Sequence, residues 1–292
     1  MPRAKVPTGV ELEYESFGDP GASPIVLVMG FGQQLLSWDE ELCTGLAARG
    51  FRVVRFDNRD VGLSTKLESA GLPDFSKVMA GDRSAAPYGI EEMADDLAGL
   101  IDVLGGSAHI AGVSMGGFIV QEAAIRHPSR VKSVTSIMSS TGERAVGRPR
   151  PGIAALLFSP APPERAEAID HFVEVWRAFS SPGFHFDEPR LRKRLAASWD
   201  RDHDPIGVGR HGAAVLSQRD RTSDLGKLRM PAAVIHGVDD PLITVSGGEA
   251  TARAIPGAKL HLIPGMGHDL PAELWPKLQD VIVDTCVDTR RD

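Results

Sequence analysis

The chain has 292 residues, 42% of them hydrophobic and 24% charged, with a formal net charge of −7. That suits one large α/β domain or two modest ones, and the negative balance argues against a nucleic-acid surface. No apolar run approaches the roughly 18 residues of a membrane helix. Met1–Thr8 has no apolar core of a signal peptide, and Cys43 and Cys286 match no metal or redox spacing. Reduced thiols, no membrane partner and a cytoplasmic location are therefore expected.

Val10–Phe17 alternates Val10, Leu12 and Tyr14 against Glu11, Glu13 and Glu15, which predicts a half-buried strand near a sheet edge. Gly18–Gly21 is a turn. Ile25–Met29 is an unbroken apolar run, as in a strand covered on both faces, and Gly30-Phe31-Gly32 follows it. Ser37–Ala48 reads as a helix ended by Gly50. Phe51–Phe56 is the next strand and runs into the polar loop Asp57–Ser64. Residues 65–88 lack periodicity and predict a long surface loop near the site. Ile90–Leu104 carries a helical apolar stripe, ended by Gly105-Gly106.

Ala108–Ala111 predicts a strand, Phe118–Arg126 a helix and Val131–Met138 another strand. Then the texture changes. From about residue 145 to 221 the patterns are helical, over Pro163–Phe179, Pro189–Trp199 and Ile206–Arg219. Strand-helix alternation resumes at Ala232–His236, with a helix near Gly247–Ala254, a strand at Lys259–Ile263 and a last helix at Ala272–Val287. The alternation predicts an α/β fold with a mostly parallel sheet covered on both faces. Residues 145–221 are then a helical lid, and 1–144 with 222–292 the core.

Between the Ala108 strand and the Phe118 helix stands Gly112-Val113-Ser114-Met115-Gly116-Gly117. Strand, G-x-S-x-G, helix is the pattern of a nucleophile elbow. The turn is so tight that side chains two residues either side of the serine would collide, which calls for glycine at 112 and 116. Small residues here would also let a helix pack closely on a strand; the flanking strand and helix favour the chemical reading.

A serine hydroxyl needs a base, and the base needs an orienting acid. Of nine histidines, His268 in Pro264-Gly265-Met266-Gly267-His268-Asp269 follows the last strand, on the sheet edge where the elbow lies. His109, His236 and His261 lie in or beside strands, His127 ends the elbow helix, and His171, His185, His203 and His211 belong to the insertion. Asp200, Asp202, His203 and Asp204 crowd together but have no second ligand cluster, so a charged turn is expected there and no metal. The acid should follow a strand between Ser114 and His268. His236-Gly237-Val238-Asp239-Asp240-Pro241 offers two neighbours, with Asp240 preferred and Asp239 the alternative. Two backbone donors should meet the oxyanion: the N–H of Met115 and that of Phe31, between Gly30 and Gly32. The insertion is rich in large apolar side chains, and Leu157, Phe158, Phe172 and Trp176 are the candidates for substrate contact.

Taken together, the elbow, the Gly237–Pro241 turn and the Pro264–His268 loop resemble the α/β-hydrolase superfamily. Met29-Gly30 in place of His-Gly, Asp60 in place of Gly, and the start Gly9-Val10-Glu11-Leu12 with Phe17-Gly18-Asp19-Pro20 are similar to the bacterial aclacinomycin methylesterase group. The resemblance implies an eight-stranded sheet with the lid after the sixth strand. It also implies Ser114 as nucleophile, Asp240 as acid, His268 as base, Phe31 and Met115 as oxyanion donors, and hydrolysis of a small carboxylic ester without cofactor or metal. Phe31 departs from the glycine expected in that esterase, and residues 145–221 match it only loosely. Carbon–carbon bond hydrolysis and perhydrolysis use the same three side chains and stay open, as does a ligand-binding protein of the same fold. Haloalkane dehalogenase and epoxide hydrolase chemistry is disfavoured, since those relatives carry aspartate at the Ser114 position.

Overall fold

The computed structural model describes residues 1–287. Eight strands form one sheet: β1 (Arg3–Lys5), β2 (Glu11–Phe17), β3 (Pro24–Val28), β4 (Arg52–Phe56), β5 (Ala108–Val113), β6 (Val131–Ile137), β7 (Ala232–Gly237) and β8 (Lys259–Ile263). Their order is β1-β2-β4-β3-β5-β6-β7-β8. The first two strands run antiparallel to their neighbours and the rest are parallel. Eleven helices are described: α1 (Glu40–Ala47), α2 (Phe75–Met79), α3 (Ile90–Val103), α4 (Met115–Arg126), α5 (Ile153–Leu157), α6 (Arg165–Phe179), α7 (Glu188–Arg201), α8 (Pro205–Leu216), α9 (Thr222–Leu225), α10 (Ser246–Ala254) and α11 (Trp275–Val287).

Successive side chains of a strand point to opposite faces, so a strand buried on both sides needs an apolar residue at every position. In β3 this is met. Ile25 and Leu27 pack with Leu42, Leu46 and Ile282 of α1 and α11, while Val26 and Val28 pack with Leu97, Ile101 and Ile119 of α3 and α4. Truncating any of the leucines or isoleucines among these to alanine would cost roughly 2–5 kcal/mol. The register aligns Val28 with Gly112, Val113 with Ile137, and Gly237 with Ile263. The loops leaving β3, β5, β7 and β8 therefore emerge side by side along one edge of the sheet.

Two segments differ from the expectations. β1 was not anticipated, because three residues are too few to display a period; Ala4 is buried, and Arg3 pairs with Glu13 on β2. Residues 65–88, expected as a loop, hold α2 and two single 3₁₀ turns. Asp74 caps α2 at the Lys77 N–H, and Asp82 does the same at the Ser84 N–H. These local side-chain bonds order a segment that has no apolar periodicity.

Between β6 and β7 the described residues form α5–α9 and no strand. Asp187 caps α7, and Asp204 with Pro205 starts α8. Ion pairs tie this stretch to the loop after β4. Asp57 meets Arg201 at 2.6 Å, Asp60 meets Arg210 at 2.8 Å, and Lys66 meets Asp202 at 2.6 Å. Among the described residues no helix is long and apolar enough to cross a membrane.

Candidate active site

β5 ends one residue before a turn of unusual backbone. Ser114 has φ +57° and ψ −119°, which costs a non-glycine residue about 1–3 kcal/mol. The surroundings enforce it. A Cβ on Gly112 would stand 2.1 Å from the Gly116 carbonyl oxygen, and one on Gly116 would stand 2.1 Å from that of Val28. The Ser114 N–H donates to the Ile137 carbonyl at 2.9 Å, locking the turn to β6. α4 starts at Met115, so its unpaired first-turn N–H groups gather beside the serine.

The loops after β7 and β8 bring two more side chains to Ser114. His268 Nε2 lies 3.0 Å from Ser114 Oγ, and His268 Nδ1 lies 2.7 Å from Asp240 Oδ2. A carboxylate accepts only, so Nδ1 carries the ring proton and Nε2 is left to accept from the serine hydroxyl. The other Asp240 oxygen accepts from the Leu242 and Ile243 N–H groups at 2.8 and 2.9 Å. His236 stands 3.7 Å behind the same carboxylate and donates to the Ile243 carbonyl at 2.7 Å; burial pushes its pKa down. Asp239 points elsewhere and accepts from the Gly265 N–H at 2.8 Å. Of the two neighbouring aspartates, Asp240 touches the ring and Asp239 touches the loop that carries it.

That loop is held from the stretch between β6 and β7. The His268 N–H donates to the Phe179 carbonyl at 2.7 Å, and the Gly267 N–H to Ser181 Oγ at 2.8 Å. The Ser181 hydroxyl donates in turn to Asp269 Oδ1, which also accepts the Ser181 N–H at 3.0 Å. Burial pushes the Asp269 carboxyl up, with the Ser181 bonds opposing it. Gly267 is required because a Cβ would sit 2.6 Å from the Phe179 and Ser180 carbonyl oxygens. No periodicity or motif in the sequence marks the contact between Ser181 and Asp269, because the two segments lie far apart in the chain.

On the other side of Ser114 lies the loop after β3. A Cβ on Gly30 would come within 3.2 Å of Ser114 Cβ, so glycine permits the close approach. Asn58 Nδ2 donates to the Met29 carbonyl at 3.1 Å, and the Gln33 N–H to that of Gly30 at 3.2 Å. Phe31 lies between these anchors, its ring 5.5 Å from that of Phe158. The other candidate contact residues are spread out. Leu157 packs beside Val175, Phe179 and Leu242, Phe172 stands against His171, and Trp176 stands against Phe179 with Arg194 over its ring. The carboxylates of the 200–204 turn go separate ways: Asp200 to Arg165, Asp202 to Lys66, and Asp204 to the α8 cap.

A family model described as the alpha/beta hydrolase fold matches residues 23–273. Rhodomycin D methylesterase DauP of Streptomyces sp. (strain C5) is 30% identical over 96% of this chain and 95% of its own. The bifunctional esterase/perhydrolase DCH of Acinetobacter calcoaceticus is 26% identical over 90% and 91%. The crystal structure of the enol-lactonase from Burkholderia xenovorans LB400 superposes with a TM-score of 0.72 at 24% identity, covering 97% of this chain and 99% of that one. The fold expected from the motifs and the expected likeness to bacterial methylesterases are both met. With its eight-stranded sheet, its elbow and this match across most of its length, the chain belongs to the α/β-hydrolase family.

Proposed function

We propose that the protein hydrolyses a carboxylic ester through an acyl-enzyme on Ser114, with His268 as base and Asp240 as its orienting acid. The observation that carries this reading is the single imidazole bridging Ser114 Oγ at 3.0 Å and Asp240 Oδ2 at 2.7 Å. Ser114 Oγ bonds to the ester carbonyl carbon while its proton passes to His268 Nε2. The carbonyl becomes an oxyanion facing the N–H groups of Phe31 and Met115. The carbon–alkoxide bond then breaks, and His268 returns the proton to the departing alcohol. Water attacks the acyl carbon, loses a proton to His268, and releases the acid as Ser114 Oγ is reprotonated. Asp240 keeps the proton on Nδ1 and offsets the imidazolium charge.

The favoured ester is apolar near its carbonyl, with residues 145–221 acting as the lid that contacts it. Three rings from three separate segments support this. A Cβ on Gly212 of α8 would lie 3.3 Å from Phe158, 3.5 Å from Phe31 and 3.6 Å from Phe75. The likeness to DauP supports an ester substrate, and the lid is where the substrate would differ. A second reading, perhydrolysis, draws on the likeness to DCH: hydrogen peroxide replaces water in the second step and a peracid leaves.

Turnover of a short p-nitrophenyl ester by Ser114→Ala tests the first reading. A loss of about 10³-fold or more in kcat with the fold intact is expected, since only oxyanion binding would remain. Near-normal turnover would sink it. Peracid formation from a short p-nitrophenyl ester in the presence of hydrogen peroxide tests the second.

A further inference from the structure

One face of α8 lies along the loop that carries Phe31. Val208, His211 and Gly212 stand at i, i+3 and i+4 and so point the same way. Val208 Cγ1 is 3.1 Å from where a Cβ of Gly32 would stand, and Gly32 itself has φ +64°. His211 Nδ1 lies 3.3 Å from the Gly32 nitrogen. Gly212 leaves the space that the Phe31 ring edge approaches.

His211 is fully buried, and its Nε2 lies 2.6 Å from the Arg59 carbonyl oxygen. A carbonyl can only accept, so Nε2 carries the proton and Nδ1 accepts from the Gly32 N–H. Only the neutral ring serves both partners. Burial pushes its pKa down to about 4, which preserves that state through the neutral range. Arg59 is itself immobilised by Asp96, at 2.6 and 2.7 Å. A continuous tether thus runs from Asp96 through Arg59 and His211 to Gly32.

We propose that this face of α8 is the template for the oxyanion loop, with His211 as its positioning residue. Phe31 is flanked by two glycines, and a glycine-flanked peptide has little conformational preference of its own. The Gln33 N–H bond to the Gly30 carbonyl holds the peptide that carries the Phe31 N–H, and the His211 bond to Gly32 holds the next peptide, so His211 closes the turn from its far side and limits how the Phe31 N–H can swing. His211 touches neither substrate nor Ser114; it acts through Gly32. The inference rests on the ester reading above and goes beyond it, because it gives a residue of the insertion control over the chemical step.

The amides of Asn and Gln separate the two bonds. In His211→Asn the amide oxygen can stand near the Nδ1 position and accept from Gly32, while Arg59 loses its donor. In His211→Gln the amide NH₂ can reach Arg59, while Gly32 loses its acceptor. On a short p-nitrophenyl ester we expect His211→Gln to lose about 10- to 100-fold in kcat at nearly unchanged KM. Oxyanion donors act mainly in the transition state, and deleting one outright costs about 10²–10³. His211→Asn should stay within about threefold of the parent kcat, as expected of a conservative rescue. A role in packing alone predicts lower thermal stability in both variants with kcat unmoved. That result, or equal kcat losses in the two, overturns the proposal. Val208→Ala removes packing on Gly32 and no hydrogen bond, and carries the test if the Gln variant does not fold. A fall in kcat at constant KM supports the template and an unchanged kcat overturns it. Ser114→Ala runs alongside. Retained turnover there overturns the ester reading and this one with it, whereas abolished turnover beside a normal His211→Gln overturns only the template.

Discussion

The backbone N–H of His268 donates to the carbonyl oxygen of Phe179 at 2.7 Å, so the ring that faces Ser114 hangs from the last residue of α6. The proposed base is thereby anchored to α6 as well as to its own strand. Ser181, two residues on, completes the clamp through Gly267 and Asp269. Ser181→Ala removes both bonds and leaves a buried N–H without its acceptor and the half-buried Asp269 carboxyl with one donor fewer. It should cost about 1–3 kcal/mol of stability and lower kcat/KM by roughly tenfold by loosening the ring. Urea unfolding and ester kinetics on the same variant check this. Normal kinetics would mean that Phe179 alone suffices.

Asp240→Asn should reduce kcat by about 10⁴-fold, since an amide facing Nδ1 favours the wrong ring tautomer. Asp239→Asn should act through the Gly265 N–H that it accepts, with a change in kcat of less than about tenfold. Kinetics of the pair decide the assignment, and a larger loss in the Asp239 variant would reverse it.

Asp60 has φ +67° and is fully buried, in a backbone position that suits glycine. Burial pushes its carboxyl up, but bonds from Arg210, the Leu67 N–H and the Tyr88 hydroxyl outweigh this and hold it below the usual range. Asp60→Gly would relieve about 1 kcal/mol of backbone strain but leave Arg210 buried beside a lost partner, at about 3–5 kcal/mol. A net loss of about 2–4 kcal/mol is expected in denaturant unfolding. Adding Arg210→Met should recover part of it, and no recovery would show that Asp60 acts through its other bonds.

Acid should weaken the fold through His211. Its folded pKa, about 4, lies below the ordinary histidine value near 6.5. Between those two values the unfolded chain binds more protons, so stability rises with pH there and is lost as pH falls. The ring should make the protein of order 2 kcal/mol less stable at pH 5 than at pH 7. Burial lowers the His236 pKa too and adds to the same trend. The pH 5 to pH 7 difference in urea midpoint should shrink in His211→Asn; an unchanged difference would assign the acid sensitivity to other groups.

Phe158 stands against Phe31 and faces Gly212. Phe158→Ala should therefore change the ratio of kcat/KM between long and short acyl p-nitrophenyl esters by about 1–3 kcal/mol. The shortest ester should change least. An equal loss on every ester would remove Phe158 from the pocket, and the same series on Trp176→Ala tests the remaining expectation for that ring.

The local order of this chain is written in its local patterns. The all-apolar run of β3 announced a strand buried on both faces, and the stripe of α3 announced its helix. Gly112 and Gly116 around Ser114 announced the elbow, because a turn that tight excludes any Cβ. Such signals reach only a few residues along the chain, over which side-chain period and backbone sterics act. What the folded molecule added came from residues far apart in sequence. The sequence favoured Asp240 over Asp239 but could not show where each side chain points; that Asp240 faces the ring and Asp239 the Gly265 N–H depends on where the β8 loop lies. Phe179, Ser181 and Asp269 around the His268 loop, and His211 behind Gly32, meet because the helices between β6 and β7 fold back onto the sheet edge. A hydrogen bond between distant segments imposes no spacing on either one, so it leaves no mark until the chain has folded.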